Sequence, residues 1–292
     1  MKKLALFGNK SQKSGFENLA ALFSLLRSHS DEISLSIQWR YFEFLRRTID
    51  LDPAGIETFD IYDGSADLAL SIGGDGTFLT TSAAVGAYET PILGINSGHL
   101  GYLAAAELTD AERIVREILT DDFTVEERSL IAVECSVAVK LVRNFALNEV
   151  AILKQDTASM ITVETEIEEI GTASYRGDGL IISTPTGSTG YNLSVGGPIV
   201  APTAKNLIIA PIAPHSLNMR PLVISEDSRI EVSTQSRADK YLLSVDGKAT
   251  ELPLDAKVTL RKADHSVFVV VHPGYSFIEG LRAKLLWGRD GM

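Results

Sequence analysis

The amino-acid sequence predicts an α/β N-terminal domain followed by a mainly antiparallel β C-terminal domain. Over the first third of the chain, short apolar runs typical of buried strands alternate with apolar residues at helical spacing, which is the pattern of a parallel α/β sheet. From about residue 123, short β-rich runs follow one another with few helical patterns between them, and this favours antiparallel sheets. The length of 292 residues is enough for about two such domains.

The elements of the first domain follow from these patterns in chain order. Residues 4–7, Leu-Ala-Leu-Phe, predict a buried strand, and Leu-Ala-Leu-Ser-Ile at 68–72 predicts another. Residues 109–112, Thr-Asp-Ala-Glu, match a capping box and predict the start of a helix. The full predicted order is strand 4–7, helix 16–27, strand 68–72, helix 78–87, strand 91–95 and helix 109–119.

The second domain is predicted as a series of strands followed by one helix. Residues 276–279, Ser-Phe-Ile-Glu, match a second capping box before an apolar stripe at helical spacing. The predicted domains are 1–115, 116–275 and a C-terminal helix at 276–292, which is expected to pack on the first domain. The predicted strands lie at 129–133, 137–142, 145–152, 160–166, 180–183, 228–233, 242–246, 257–261 and 267–272.

Composition and charge argue against several classes of protein. With 27 Lys and Arg against 38 Asp and Glu, the formal net charge is −11, which argues against general binding to nucleic acid or to anionic membranes. The single cysteine, Cys135, excludes an internal disulfide and a cysteine-based zinc cluster. The apolar run at 4–7 is too short for a signal peptide, and no run reaches the ~20 apolar residues of a membrane helix. These observations predict a cytoplasmic protein.

The first segment that carries chemistry is Gly-Gly-Asp-Gly-Thr at residues 73–77, between a predicted strand and a predicted helix. Its three glycines are expected to permit positive φ and close approach of a ligand to backbone N–H groups. Asp75 lies at the carboxyl end of the strand, where open α/β sheets bind ligands. The alternative is a tight turn in which Asp75 caps the helix. The segment matches neither the dinucleotide fingerprint nor the P-loop.

Two further segments lie in the predicted β domain. An amide and a carboxylate stand side by side at Asn148 and Glu149, where they could bind the edge of a base and a ribose hydroxyl, or could form an exposed polar pair. Residues 176–199 concentrate glycine, serine and threonine around one strand. Such a loop can donate hydrogen bonds to phosphates, and Tyr191 can offer a stacking face, unless the loop is only a solvated surface loop.

Together these segments resemble the NAD kinase family. The resemblance covers about residues 68–289; the Thr-Pro-Thr-Gly-Ser-Thr block at 184–189 is its most specific part, and residues 9–66 match nothing useful. Gly190 departs from the family, because many members carry alanine there. The first segment alone also resembles diacylglycerol kinases and phosphofructokinases. The segments that carry the resemblance are 73–77, 148–149, 177–199, 210–211, 214–217, 220–221 and 244–247.

The resemblance implies an NAD kinase/diacylglycerol kinase-like fold with the active site between its two domains. It also implies transfer of the γ-phosphoryl group of ATP, or of inorganic polyphosphate, to the 2′-hydroxyl of the adenosine ribose of NAD, giving NADP. A divalent metal cation, Mg²⁺ or Mn²⁺, is expected as cofactor, and a homo-oligomer, dimer or tetramer, is expected in solution. NAD and ATP are the expected small-molecule partners, with no nucleic acid and no membrane.

The resemblance also implies roles for individual residues. Asp75 would be the general base, and Gly74 and Gly76 would let the donor phosphates approach; Asn148 and Glu149 would hold the ribose and adenine of NAD. The remaining expected binding residues are Arg176 for the pyrophosphate, Asp178 for the nicotinamide side, and Thr189, Gly190, Tyr191, Asn192, Leu193 and Ser194 for the adenosine.

Two alternatives and one ambiguous motif remain open at this point. The chain could be a lipid or sphingoid-base kinase that shares the loop at 73–77, or a catalytically silent dinucleotide-binding regulator. Asp246 and Gly247 predict a hairpin turn, and the resemblance places the same motif near the site.

Overall fold

The computed structural model describes residues 1–98, 101–104, 106–156 and 159–288, and the chain divides into two compact units. Unit 1 comprises Met1–Glu127 and Val267–Met292, and unit 2 comprises Arg128–Ser266. These limits differ from the predicted domains, because residues 116–127 and 267–275 belong with the first unit and not with the β-rich one. The physical reason is that the strand at 267–271 joins the sheet of unit 1.

The structure gives the bounds of the helices and strands in the described residues. The strands are β1 Lys2–Gly8, β2 Ile33–Gln38, β3 Ile56–Phe59, β4 Leu68–Ile72, β5 Ile92–Asn96, β6 Ala106–Glu107, β7 Thr124–Arg128, β8 Ile131–Cys135, β9 Phe145–Ala146, β10 Glu149–Lys154, β11 Ile161–Ile167, β12 Gly171–Gly177, β13 Gly179–Ser183, β14 Asn206–Ile212, β15 Leu222–Ser225, β16 Ile230–Ser236, β17 Lys240–Val245, β18 Lys248–Pro253, β19 Val258–Lys262 and β20 Val267–Val271. The helices are α1 Phe16–Ser28, α2 Trp39–Thr48, α3 Asp75–Val85, α4 Ala111–Thr120, α5 Tyr191–Ser194 and α6 Phe277–Leu285. No helix in these ranges has the length and apolar character that crossing a bilayer requires.

The described part of unit 1 forms one eight-stranded sheet in the order β3-β2-β1-β4-β5-β20-β7, with β6 paired to β5. The pairs that join β3, β2, β1, β4 and β5 are all parallel, which confirms the predicted α/β class. The strand order reverses direction between β1 and β4, where Gly8 lies in register with Ile72. The loops after these two strands therefore lie side by side, at the position where open α/β sheets bind ligands.

The core of unit 1 explains most of the predicted elements. All five residues of β4 are buried, and α1 buries Leu19, Leu22, Phe23 and Leu26 at helical spacing. The predicted capping box at 109–112 is wrong: Asp110 is the N-cap of α4, no side chain caps that helix, and Thr109 lies in a short 3-10 turn. Of the two hydrogen bonds in the second predicted capping box, the one made by the serine is confirmed. The Ser276 side chain accepts a hydrogen bond from the backbone N–H of Glu279.

Unit 2 is built, in its described residues, from two six-stranded antiparallel sheets. Their orders are β15-β14-β13-β10-β17-β18 and β12-β11-β16-β19-β8-β9, and apolar residues of both sheets form one core. This confirms the antiparallel class. The predicted strand at 145–152 is instead two strands, since β9 pairs in one sheet and β10 in the other. The chain bends between them at Leu147 and Asn148.

The predicted strand at 137–142 is wrong. These residues are irregular, although Val137, Val139 and Leu141 are half-buried against the core of unit 2. The alternation of apolar and polar residues here reflects which side chains are buried. It does not indicate backbone hydrogen bonds to a neighbouring strand. The structure also contains elements that the sequence patterns did not predict, namely strands β2, β3, β6, β7, β12, β14, β15 and β18 and helices α2 and α5.

Candidate functional site

The glycine loop of unit 1 leads from β4 into α3. Of its three glycines only Gly73 has a positive φ, 155°, and a Cβ atom there would lie 2.4 Å from Thr77 Oγ1. The expectation of positive φ is therefore wrong for Gly74 and Gly76. At these two positions an added Cβ would meet nothing within 4 Å. Their lack of side chains leaves open space above the backbone, so a ligand can approach it closely.

Asp75 begins α3, and its carboxylate points to the segment at 101–104. Oδ2 accepts a hydrogen bond of 2.9 Å from the backbone N–H of Tyr102, and Oδ1 accepts one of 3.0 Å from that of Leu103. Gly74 is the N-cap of α3 and no side chain caps it, so the alternative in which Asp75 is a helix cap does not hold. Because each carboxylate oxygen has two lone pairs, Asp75 can still accept a proton or a hydrogen bond from a ligand hydroxyl.

A cavity of about 510 Å³ lies beside this loop within unit 1. Gly74 and Gly76 line one side, Lys10 from the loop after β1 lines another, and Arg40 comes from the start of α2. Two cations beside an open glycine loop favour an anionic ligand such as a chain of phosphates. Sequence reasoning missed Lys10 and Arg40, although Lys10 lies only three residues after the predicted strand at 4–7.

In unit 2, Asn148 and Glu149 stand at the start of β10, a central strand paired with β13 and β17. Both residues are half-buried, so the alternative of an exposed polar pair does not hold. Within the described residues, Asn148 Oδ1 and Glu149 Oε2 are buried without a hydrogen-bond partner. Buried acceptors almost always find a donor, so these two atoms point to a ligand that carries O–H or N–H groups.

The electrostatic state of Glu149 follows from its surroundings. Burial is the main cause that raises its pKa to about 7, and the neighbouring negative charge of Asp246 raises it further. The backbone N–H of Tyr191 opposes this shift by favouring the ionised carboxylate. With this pKa, the carboxyl group of Glu149 is protonated in part at neutral pH. A ligand hydroxyl that donates a hydrogen bond to it would favour the ionised carboxylate.

Asp246 fixes the backbone of this pair. Its carboxylate accepts hydrogen bonds of 2.9, 2.8 and 3.1 Å from the backbone N–H groups of Leu147, Asn148 and Glu149. Arg143 lies 3.8 Å from the same carboxylate. Burial raises the pKa of Asp246, while the three backbone hydrogen bonds and Arg143 oppose that rise.

The predicted hairpin is confirmed, because the turn at Asp246 and Gly247 joins the antiparallel strands β17 and β18 and both residues have positive φ.

The Thr-Pro-Thr-Gly-Ser-Thr block packs directly on the pair. Thr184 donates its backbone N–H to the carbonyl of Asn148 at 2.9 Å, and a Cβ at Gly187 would lie 2.1 Å from the same oxygen. Gly190 also approaches Glu149, since an added Cβ would lie 2.9 Å from Oε2. The structure thus brings this predicted loop together with Asn148 and Glu149, and the close backbone contact at Gly187 requires glycine there.

The residues of the predicted adenosine pocket differ in their accessibility. Tyr191 is 40 % exposed, and Ser194 is exposed, whereas Thr189 and Leu193 are half-buried. Asn192 is fully buried and donates from Nδ2 to the carbonyls of Ser188 and Pro198, both at 3.0 Å. Asn192 therefore holds the loop together. Tyr191 is the aromatic side chain of this loop whose ring is exposed and can pack against a ligand.

Arg176 and Asp178 lie at the other end of the strands. Because Glu149 pairs with Ser183 and Leu153 pairs with Gly179, Asp178, one residue beyond Gly179, lies about 17 Å along the sheet from Glu149, at ~3.3 Å per residue. Asp178 forms an ion pair of 2.6 Å with Lys154, which the sequence reading missed. Arg176 is exposed on β12.

Comparison with known proteins identifies similar families and structures. The family model described as ATP-NAD kinase N-terminal domain matches residues 54–123, and the model described as ATP-NAD kinase C-terminal domain matches residues 147–272. The NAD kinase of Bacteroides fragilis is 42% identical over 288 residues and covers 99% of each chain. This similarity includes residues 9–66, which the motifs had left unmatched.

Two solved structures share the fold. The yeast NADH kinase complexed with NADH has a TM-score of 0.87 at 21% identity and covers 100% of this chain and 89% of that chain. The NAD kinase from Archaeoglobus fulgidus in complex with ATP has a TM-score of 0.69 at 24% identity and covers 97% of both chains. None of these similarities supports the lipid kinase alternative.

Proposed function

Because the chain belongs to the ATP-NAD kinase family, we propose that it phosphorylates the 2′-hydroxyl of the adenosine ribose of NAD, with ATP or inorganic polyphosphate as donor. The observation that carries this proposal is the pair of buried acceptors, Asn148 Oδ1 and Glu149 Oε2, that have no donor among the described residues. An adenine amino group and ribose hydroxyls would supply the missing N–H and O–H groups. A lipid tail would supply neither.

Asp75 is the proposed general base. It takes the proton from the 2′-hydroxyl, the oxygen forms a bond to the γ-phosphorus, and the bond from that phosphorus to the leaving phosphate breaks. The backbone N–H groups of Tyr102 and Leu103 support this role, because they fix the carboxylate before the substrate arrives. Lys10 and Arg40, which line the cavity beside Gly74 and Gly76, would neutralise the charge of the donor phosphates.

The proposed divalent cation is Mg²⁺ or Mn²⁺. In the described ranges, no group of three or more histidine, cysteine, aspartate or glutamate residues could hold a metal ion. This fits a cation that is bound mainly through substrate phosphates, as Mg²⁺ commonly is. The cation would lie with the phosphates in the cavity beside Gly74, Gly76 and Thr77, and when bound it would neutralise charge on the phosphoryl oxygens.

The remaining residues are proposed to bind NAD. Tyr191 would pack on the adenosine, and residues Thr189, Gly190, Leu193 and Ser194 would line its pocket, with Asn192 bracing the loop. A bound dinucleotide would extend along β13 to reach Asp178 and Arg176. We further propose that the protein is a cytoplasmic homo-oligomer, either a dimer or a tetramer, and that it binds neither nucleic acid nor membrane. The net charge of −11 supports the last point, because it repels nucleic acid and anionic membranes.

The proposal is tested with the purified protein, NAD, ATP and Mg²⁺, by measuring the initial rate of NADP formation with an NADP-specific dehydrogenase. We expect NADP to form, and diacylglycerol, a sphingoid base and fructose 6-phosphate to be inert as acceptors. A second series with polyphosphate in place of ATP defines the donor. Phosphorylation of a lipid or a hexose with a kcat/KM comparable to that of NAD would contradict the proposal.

Replacing Tyr191 with alanine is expected to raise the KM for NAD by about 5- to 150-fold, which corresponds to the ~1–3 kcal/mol of a base stacked on an aromatic ring. The KM for ATP should change much less, because the donor cavity contains no residue of α5. Both KM values and the melting temperature are measured on the same preparation. A lower melting temperature with an unchanged KM for NAD would mean that Tyr191 only braces the loop.

A further inference from the structure

The C-terminal helix α6 places a lysine on the segment that holds Asp75. Leu281 is the buried residue of α6, only 2 % exposed, and Lys284 follows it by three residues on the same face. The Lys284 ammonium donates a hydrogen bond to the carbonyl oxygen of Gly101. It also lies 4.6 Å from the centre of the Tyr102 ring, within the range of a cation–π contact.

The peptide group between Gly101 and Tyr102 is held at both ends. Its carbonyl oxygen accepts from Lys284, and its N–H donates to Asp75 Oδ2. Because a peptide group is planar, fixing the carbonyl direction also fixes the direction of the N–H. An ammonium on the oxygen also polarises the group and strengthens the hydrogen bond that the N–H makes.

The packing leaves this peptide little freedom. A Cβ atom at Gly101 would lie 2.1 Å from Asp75 Oδ1, so the chain passes directly against the carboxylate. The charges interact as well. Burial lowers the pKa of Lys284, and the negative charge of Asp75 opposes that shift. Burial and the same charge raise the pKa of Tyr102.

We propose that Lys284 is a positioning residue that fixes the Gly101–Tyr102 peptide and thereby orients the Asp75 carboxylate. Lys284 acts through the backbone and does not touch the reacting atoms. The proposal rests on the proposed function of Asp75 as base. It assigns the C-terminal helix a part in the chemistry of unit 1, in addition to its packing through Leu281.

The test compares Lys284→Met with Arg282→Met, a matched control at an exposed position of the same helix. Loss of a hydrogen bond from a charged group is expected to lower kcat about tenfold or more. The KM values for NAD and ATP should stay within about twofold, since Lys284 is proposed to contact neither substrate. Lys284→Arg should recover part of kcat, because a guanidinium can donate to the same carbonyl and stack on the ring.

One further readout separates positioning from a merely structural role. Amide hydrogen exchange at Tyr102 and Leu103 should become faster in Lys284→Met only, and this readout does not depend on activity.

Each contrary result is distinct. If Lys284→Met matches Arg282→Met in kcat and in amide exchange, the positioning role is refuted. It is also refuted if Lys284→Met lowers the melting temperature and raises both KM values without recovery by Lys284→Arg, since the lysine then only docks the helix. A wild-type protein that forms no NADP contradicts the proposed function, and the exchange comparison then still decides whether Lys284 holds the peptide.

Discussion

Replacing Asp75 with asparagine is expected to lower kcat about 10²- to 10⁴-fold, the usual contribution of a positioned general base. Asparagine keeps the shape of the side chain but cannot take the proton from the 2′-hydroxyl. One of the two backbone N–H donors, from Tyr102 or Leu103, also loses its acceptor. The Kd for NAD should stay within a few-fold, because the acceptors assigned to NAD belong to Asn148 and Glu149.

The measurement pairs steady-state kinetics with NAD binding by calorimetry. Asp31→Asn serves as the control, since Asp31 is an exposed carboxylate of the same unit and should keep wild-type kcat. A kcat for Asp75→Asn within threefold of that of the wild type would show that the base is misassigned.

Replacing Asp246 with alanine is expected to have the second large effect, on both stability and NAD binding. Three backbone N–H groups lose their acceptor, and a buried donor left unpaired costs about 1–3 kcal/mol. We therefore expect the free energy of unfolding of unit 2 to fall by roughly 3 kcal/mol or more. The Asn148–Glu149 backbone is then no longer fixed, so the KM for NAD should rise more than the KM for ATP.

Thermal melting and both KM values check this prediction, with Asp239→Ala as an exposed control in the same unit. Asp246→Asn, which keeps the shape, adds a pH readout. The Asp246 charge is one cause that raises the pKa of Glu149 to about 7, so its removal should lower that pKa. The pH below which NAD affinity declines should then move downward. Unchanged melting and KM values in Asp246→Ala would refute the positioning role of Asp246.

Local apolar patterns predict the fold where burial and backbone pairing coincide. Strand β4 and helix α1 are such cases, because their buried residues follow the period of the element. The pattern fails at 137–142, where alternate side chains are half-buried without a ladder. Strand β2 shows that a readable signal can be overlooked, since Ile33, Leu35 and Ile37 alternate as a half-buried strand should.

Motif spacing predicts the residues of the candidate site but not the contacts that hold them. The Asp246 carboxylate binds the Asn148 N–H across 98 positions of the chain, and Lys284 binds the Gly101 carbonyl across 183. Contacts at such separations depend on how strands and helices pack, which no local pattern encodes. For the same reason the sequence does not predict the donor cavity with Lys10 and Arg40, because that cavity depends on the pairing of β1 with β4.

The position of the new phosphate in the product tests the proposed reaction most directly. The protein is incubated with NAD, ATP and Mg²⁺, and the product is examined by phosphorus and proton NMR. We expect one phosphomonoester, on the 2′-oxygen of the adenosine ribose, formed in equal amount with ADP. A phosphate on the 3′-oxygen or on the nicotinamide ribose, or ADP formed without any NADP, would contradict it.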